Sequence, residues 1–351
     1  MAPGPNGSRA ETVSGGTDGA MLKGFSACAA RLRQRYASPR DLERFGIMGM
    51  NQRNVSYIGR YNPRRLYPLV DNKLLTKEIA LRSRVRTPLL IGCIRSQHEV
   101  RNFLSIIGEA RSFCIKPACG SGGKGILIIS GREGRTFIKA SGQELREQDI
   151  HRHLSNILAG LFSLGGKQDM ALVEDLISFD DSFEGFSYEG VPDTRVIVFQ
   201  GFPVMSMMRL STRASDGKAN LHQGAVGVGI CIRTGRAVRA VQHNVPVSFH
   251  PDTNRELSEL SVPRWHEVLA LASACHHMTG LGYIGTDIVL DRFHGPMLLE
   301  LNARPGLAIQ TANNAGLLPR LRLIEALPGR DAMSTEHKVA FAMQHFGVFS
   351  P

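Results

Sequence analysis

The sequence predicts an α+β fold in two lobes, and three features carry that expectation. Strand-like runs follow one another as hairpins more often than they alternate with helices. The glycine-rich stretch CGSGGKG lies between two strand-like runs, with no helix after it. The stretch GPMLLELNARPG, residues 295–306, ends an apolar strand with Glu300 and Asn302 two positions apart. Side chains i and i+2 share one face of a strand, so these two oxygen-bearing groups aim at one point.

The elements follow in order. Residues 21–45 read as a helix with a break at Ser38-Pro39. The stretch GIMGMNQRNVSYIGRYNPRRLYPLV is rich in Gly and Asn, has no regular period, and is expected to be a loop or arm. DNKLLTKEIALRSR has Asp71 as an N-cap and a helical apolar pattern. TPLLIGCI is a strand, SQHEVRNFLSIIGEA a capped helix, and SFCIKPA and ILIIS the strands on either side of the glycine loop. A helix is expected over 143–164. Strands MALVEDLI, TRVIVFQ, PVMSMMRLST and GAVGVGICI come next, and Gly235 and Pro246 punctuate a further β segment. VPRWHEVLALASACHHMTG is a helix, YIGTDIVL and GPMLLELN form a hairpin, and LLPRLRLIEAL is a closing helix. The expected organisation is a tail at 1–22, a basic helix and arm at 23–66, and a main domain at 67–327. That domain divides into a smaller lobe at 90–172 and a C-terminal lobe at 173–327, with a tail or helix at 328–351.

Composition narrows the class. The 351 residues are 42% hydrophobic and 21% charged, enough for one large or two coupled globular domains. Six cysteines without a C-x-x-C pair point to a reducing, cytoplasmic compartment. No apolar run reaches the roughly 18 residues of a transmembrane helix, and residues 1–20 lack the apolar stretch of a signal peptide. The net charge is +11. Arg31, Arg33, Arg35, Arg40, Arg44, Arg53, Arg60, Arg64 and Arg65 concentrate it near the N-terminus, against Asp41 and Glu43. An anionic substrate, an acidic partner, nucleic acid or a solvated face all fit such a patch. Phe45, Tyr57, Tyr61 and Tyr67 are too scattered for a base-stacking platform, so nucleic acid is not the expected partner.

Two motifs carry chemistry. Gly120, Gly122 and Gly125 make a formal G-x-G-x-x-G, but a dinucleotide site needs a helix to follow. Lys124 is followed by Gly125 where a P-loop needs Ser or Thr. What remains is a hairpin whose bare amides can lie over phosphates, or a plain flexible tip. Lys116, four residues before Gly120, sits in an apolar strand, which is uncommon without an anionic partner. In the later hairpin, a turn around Arg292 to Gly295 sets Asp287 opposite or diagonal to Glu300, with Cβ atoms roughly 5 Å apart. Asp287, Glu300 and Asn302 then form a hard-oxygen site suited to Mg²⁺. An exposed strand end with ordinary polar residues is the plainer alternative. The histidine pairs 151/153 and 276/277 lack zinc spacing. His222, beside Asn220, keeps a functional claim.

Together these segments resemble the ATP-grasp superfamily, and within it the α-L-glutamate ligase-like proteins, including the type that adds glutamates to a ribosomal protein. The resemblance runs from about Leu66 to Leu327. It implies the ATP-grasp fold, two α+β lobes gripping a nucleotide between antiparallel sheets. DNKLL supplies Lys73, CIKPACGSGGKGI supplies Lys116 and the phosphate lid at Gly120, Ser121, Gly122 and Gly123, and LVEDLI supplies the adenine hinge at Glu174, Asp175 and Leu176. DTRVIVFQGFPVMSMMR matches a D-x-R strand pair with Asp193, Arg195 and Arg209. KANLHQGA matches S-N-L-H-x-G-G through Lys218 and Asn220, and the terminal hairpin supplies Asp287, Glu300 and Asn302 as metal ligands. The implied activity is that of an ATP-dependent, ADP-forming carboxylate–amine ligase. It activates a carboxylate as an acyl phosphate and captures it with an amine. ATP and one or two Mg²⁺ ions are the implied cofactors, with Mn²⁺ able to substitute. An amino-acid donor such as glutamate and a peptide, protein or small-amine acceptor are the implied partners. Arg195 and Arg209 would steady the transferring group, and Arg304 would hold an acceptor carboxylate. A ligase with another donor, or a nucleotide-binding regulator without turnover, stays open, as does a homo-oligomeric state. Residues 178–192 and 228–262 extend beyond the family pattern.

Overall fold

In the computed structural model, which describes Met1, residues 38–120 and residues 122–347, the strands fall into two antiparallel sheets. The first holds β1 (Leu90–Ile94), β2 (Phe113–Pro117), β3 (Leu127–Glu133), β4 (Thr136–Lys139), β5 (Glu144–Arg146) and β6 (Ala171–Asp175), in the order β1-β6-β2-β3-β4-β5. The second holds β7 (Asp193–Phe199), β8 (Phe202–Leu210), β9 (Val226–Ile230), β10 (Ala237–Gln242), β11 (Val245–Val247), β12 (Tyr283–Asp291) and β13 (Gly295–Asn302). Its order is β11-β10-β9-β8-β7-β12-β13.

Each sheet has its own core. In β2 the alternation is plain: Phe113 and Ile115 bury against Ile150, Leu154 and Ile157 of the helix Glu147–Leu158. Cys114 and Lys116 therefore point to the other face. In the second sheet, β7 and β8 are buried along nearly their whole length because both faces are covered. The helix Trp265–Thr279 contributes Val268, Leu269, Ala272 and Cys275 to this core.

The described residues up to Ile47 form a unit apart from Met48 onward. In that unit the short helix Pro39–Arg44 is capped reciprocally by Ser38 and Asp41. It starts at the expected break. The rest of the 21–45 helix, the 1–22 tail after Met1, Arg31, Arg33, Arg35 and Ser121 lie outside the described residues.

The stretch expected to be an arm is helical instead. Met50–Gln52, a π-helical run Arg53–Ile58 and Gly59–Tyr61 follow one another, and Pro68–Asp71 forms a further turn. The i→i+5 turns of a π-helix break the 3.6-residue period, which hid the pattern from the sequence. Tyr57 and Tyr61 pack edge-on against Phe199, at 5.6 Å and 4.9 Å between ring centroids. Asn62 then pins the segment to the second sheet. Its Nδ2 donates to the carbonyls of Tyr283 (2.6 Å) and Ala303 (3.0 Å), and its Oδ1 accepts from the Tyr283 amide (2.8 Å).

Three boundaries also differ. Asn72, not Asp71, caps the helix Lys73–Arg82, because Asp71 still belongs to the preceding turn. The helix expected at 143–164 covers only Glu147–Leu158, since Glu144–Arg146 pairs with β4 as an edge strand. A helix at Ala308–Asn313 and another at Thr335–His345 complete the C-terminal part. No helix among the described residues is long and apolar enough to cross a membrane.

Asn62→Ala leaves three buried backbone groups at Tyr283 and Ala303 without their partner. It is expected to lower unfolding stability by about 3 kcal/mol, read as a shift in the urea midpoint at unchanged slope.

Candidate active site

Lys116 and Glu174 occupy neighbouring strands of the first sheet on its non-core face, and their side chains meet at 2.6 Å between Nζ and Oε2. Lys77, from the helix Lys73–Arg82, reaches the other Glu174 oxygen at 3.0 Å and also donates to the Pro88 carbonyl. Burial pushes the Lys77 ammonium below its usual range while Glu174 pulls it back up. All three groups are nearly inaccessible to water, and two cations share one carboxylate. Lys77 is the residue that sequence reasoning missed. The signal was available, since Lys73 and Lys77 stand four apart on one helix face.

Lys73, at the start of that helix, is held in two directions. Its Nζ donates to the Gly120 carbonyl (2.7 Å) and lies 3.3 Å from Glu300 Oε1. The Lys73 amide donates to the Ala118 carbonyl (2.9 Å), so the helix start is tied to the glycine loop. Two small adjoining cavities share Lys73, Lys116 and Glu300; one opens under Gly120, Gly122 and Gly123, the other toward Glu174. Gly122 and Gly123 adopt positive φ, at 64° and 74°, with open space around them. That is a turn only glycine makes cheaply. A wider hollow of about 380 Å³ beside Leu127, Lys139 and Arg152 shares none of these residues. It lies on the core side of the first sheet.

Glu300 connects this region to a second cluster on the other sheet. It stands directly opposite Asp287, which in turn stands opposite Arg195. Residues directly opposite share a face, so the three form a row. A bulge places Leu299 as an extra residue between the Leu298 and Glu300 pairings. Arg195 grips Asp287 with both Nε (2.7 Å) and Nη2 (2.5 Å). Arg209 Nη2 reaches Asp287 Oδ2 at 2.8 Å and also pairs with Asp193 through Nε (2.6 Å) and Nη2. Asn302 Nδ2 completes the set at 3.3 Å from Asp287 Oδ2. Two arginines and two aspartates thus neutralise each other out of water. Burial works against ionising Asp287, but the Arg195 and Arg209 guanidiniums outweigh it and hold the carboxyl at about 2. For Asp193 burial wins, raising it despite Arg209. Arg209 itself is raised, because the attraction of Asp193 and Asp287 outweighs its burial.

The remaining expected residues fall elsewhere. Asp175 is exposed and Leu176 half-buried at the end of β6. Lys218 is exposed and pairs with Asp216 at 3.0 Å. Asn220 caps the turn Leu221–Gln223 by accepting from the His222 amide (3.0 Å). Neither lines the two cavities around Lys73 and Lys116. Arg304 is exposed, its guanidinium 5.3 Å from the Tyr67 ring centroid. No group of three His, Cys, Asp or Glu side chains able to hold a metal ion occurs among the described residues. Asp287 and Glu300 have an amide, Asn302, as their third member. Burial pushes the Cys114 thiol, on the Lys116 face, up to about 11, so it stays protonated.

Two antiparallel sheets, one offering lysines under a glycine hairpin and the other a carboxylate–arginine row, define the ATP-grasp class. The sequence profile of the sugar-transfer associated ATP-grasp family matches residues 52–326, and the chain belongs to that family. No curated protein matches the chain. Among solved structures, the ATP-grasp ligase PsnB complexed with minimal precursor is 16% identical, with a TM-score of 0.41 over 77% of this chain and 63% of that one. The L-amino acid ligase from Bacillus licheniformis is 11% identical, with a TM-score of 0.39 over 71% and 44%. A RimK domain ATP-grasp protein from Sphaerobacter thermophilus is 11% identical, with a TM-score of 0.41 over 77% and 72%. This chain thus spans less than two thirds of the PsnB and L-amino acid ligase chains.

The arginine clamp makes a pH prediction with a definite sign. Asp287 is depressed in the folded state relative to about 3.9 unfolded, so its contribution is complete above about pH 4 and disappears as pH falls through about 2. Asp287→Asn is expected to cost about 3–5 kcal/mol at pH 7, since it leaves two buried arginines against one aspartate. The gap to the unmodified protein should narrow by about 2 kcal/mol toward pH 2 in urea titrations at stepped pH.

Proposed function

We propose that the protein is an ATP- and Mg²⁺-dependent ligase that joins a carboxylate to an amine, releasing ADP and phosphate. The convergence of Lys73, Lys116 and Glu300 on the cavities beneath the glycine hairpin is the observation that carries this reading. Among the described residues, Lys73, Lys77 and Lys116 form ion pairs with two carboxylates, Glu174 and Glu300. The excess positive charge fits a polyphosphate.

The donor set also fits a hard cation. Glu300 is partly exposed, and Asp287 Oδ1 accepts only from Arg195. Glu300, Asn302 and Asp287 Oδ1 would hold Mg²⁺, which when bound offsets negative charge on the transferring phosphoryl group. Lys116 and Lys73 would bind phosphates, and Glu174 would keep the Lys116 and Lys77 ammonium groups in place before nucleotide arrives. Arg195 and Arg209, rigidly aimed by their aspartates, would steady the acyl phosphate by positioning and electrostatics. Arg304 keeps a proposed place at a substrate carboxylate, and the main chain at Asp175 and Leu176 at the base, as do Lys218 and Asn220 at the nucleotide.

The donor and acceptor are assigned by class only: a carboxylate, glutamate among the candidates, and an amine. The family's description associates it with sugar transfer, so amino sugars belong in the acceptor pool beside peptides and amino acids.

Lys116→Ala is expected to weaken ATP binding at least about tenfold in calorimetry, by removing a charge-assisted contact. Glu300→Gln, partly exposed and cleaner than Asp287→Asn, is expected to retain the fold and lose Mg²⁺-dependent ADP release. Full turnover in Glu300→Gln, or unchanged ATP affinity in Lys116→Ala, would remove that residue from its role.

A further inference from the structure

Beside the arginine clamp lies a hollow that phosphate, metal and clamp leave unused. Asp193, Arg209, Gly227 and Val241 stand directly opposite one another across β7, β8, β9 and β10. They form one row on one face of the sheet. Strands are about 4.8 Å apart, so Val241 lies about 10 Å from the backbone of Arg209. Over this end of the row sits a hollow of about 240 Å³. Val241 and Ala225 contribute to its floor, Leu221 and Ala308 to its walls, and His222, His243 and Asn244 to its polar lining.

The frame of the hollow is fixed by the sequence. A Cβ on Gly227 would come within 2.7 Å of Leu221, so that wall rests directly on the sheet next to Arg209. The loop carrying His222 is clamped at the Gly224 carbonyl, which accepts from Thr212 Oγ1 (3.0 Å) and Gln242 Nε2 (2.8 Å). Ala308 follows Asn302 by six residues and opens the helix Ala308–Asn313. That helix is packed so closely that a Cβ on Gly229 would meet the Ala312 carbonyl at 2.4 Å. On the opposite side, His243 and Asn244 make the two-residue turn between the paired Gln242 and Val245, both at positive φ (50° and 62°). Two non-glycine residues held there are a strained choice for a plain hairpin tip.

The lining has a distinctive chemistry. It contains no carboxylate, ammonium or guanidinium. The polar groups are two imidazoles and an amide, and neither imidazole makes a hydrogen bond within the described residues. A carboxylate seated here finds no fixed cation, and an ammonium finds no anion. Hydroxyl groups find partners able both to donate and to accept. The volume is that of a small molecule and not of a peptide.

We propose that this hollow is the acceptor subsite, selecting a small amine whose hydroxyl groups occupy it, with the amine turned toward Arg209 and the metal hairpin. The proposal rests on the ligase reading above. D-Glucosamine serves as the hydroxylated amine probe and L-glutamate as the ionised one. Each is offered with Mg²⁺-ATP and an amine-free carboxylate pool while ADP release is measured, only product acylated on the probe's own amine being counted by mass spectrometry, and ATP binding is followed separately by calorimetry. D-Glucosamine is expected to give a kcat/KM at least about tenfold above L-glutamate. Ala308→Trp, which fills the hollow, is expected to raise its KM about tenfold or more with ATP affinity unchanged. His243→Ala, an exposed turn substitution, is expected to raise KM at constant kcat. ATP binding with L-glutamate preferred, with no ADP release from D-glucosamine, or with an unchanged KM in both variants, overturns the subsite and leaves the nucleotide site standing. Failure to bind ATP at all overturns the ligase reading itself.

Discussion

The bond network that the molecule depends on is the one around Asp287. A single carboxylate on β12 receives Arg195 and Arg209, and Arg209 is shared with Asp193. Ion pairs out of water often cost as much in lost hydration as they return in attraction. Their retention in the middle of an apolar sheet is therefore explained better by aim than by stability. Each guanidinium is fixed by bidentate geometry, and the cross-strand pairing fixes which residues meet. Changing the register by one residue would turn these side chains to the opposite face.

The first sheet solves the reverse problem. It gathers cations, and Glu174 keeps two of them compatible. Lys73 is the link, because it touches both the glycine loop and Glu300. The hairpin lid, the helix start and the carboxylate strand are thereby coupled through one side chain. Replacing Glu300 as the partner of Lys73 by phosphate would release that carboxylate at the moment a metal needs it. That exchange follows from the proposed function and needs no large rearrangement.

Much of this was legible in the residues. The period-2 pattern in YIGTDIVL and GPMLLELN set the hairpin and the opposition of Asp287 and Glu300, because strand pairing is local there. The glycine spacing and the strand on either side of it exclude a dinucleotide site from the sequence alone. The π-helical run around Tyr57 was not legible, since its period is not the one a helix pattern tests for. Nor were the charges that Asp287 and Glu174 meet. Those partners come from strands and helices distant in sequence, and a list of motif residues does not say which cation belongs to which carboxylate. Lys218 and Asn220 show the converse, a motif match whose side chains are engaged locally.

The three glycines on the working face of the second sheet, Gly227, Gly229 and Gly285, carry a lesson about change over generations. Each admits a close neighbour, Leu221, the Ala312 carbonyl or Pro305, where any side chain would collide. At Gly229 and Gly285 the neighbour is backbone or a proline ring and cannot give way, whereas at Gly227 it is the end of a leucine side chain. The turn at His243–Asn244 lies outside that packing. A lineage built on this chain is free to exchange that turn while its arginine row stays where it is.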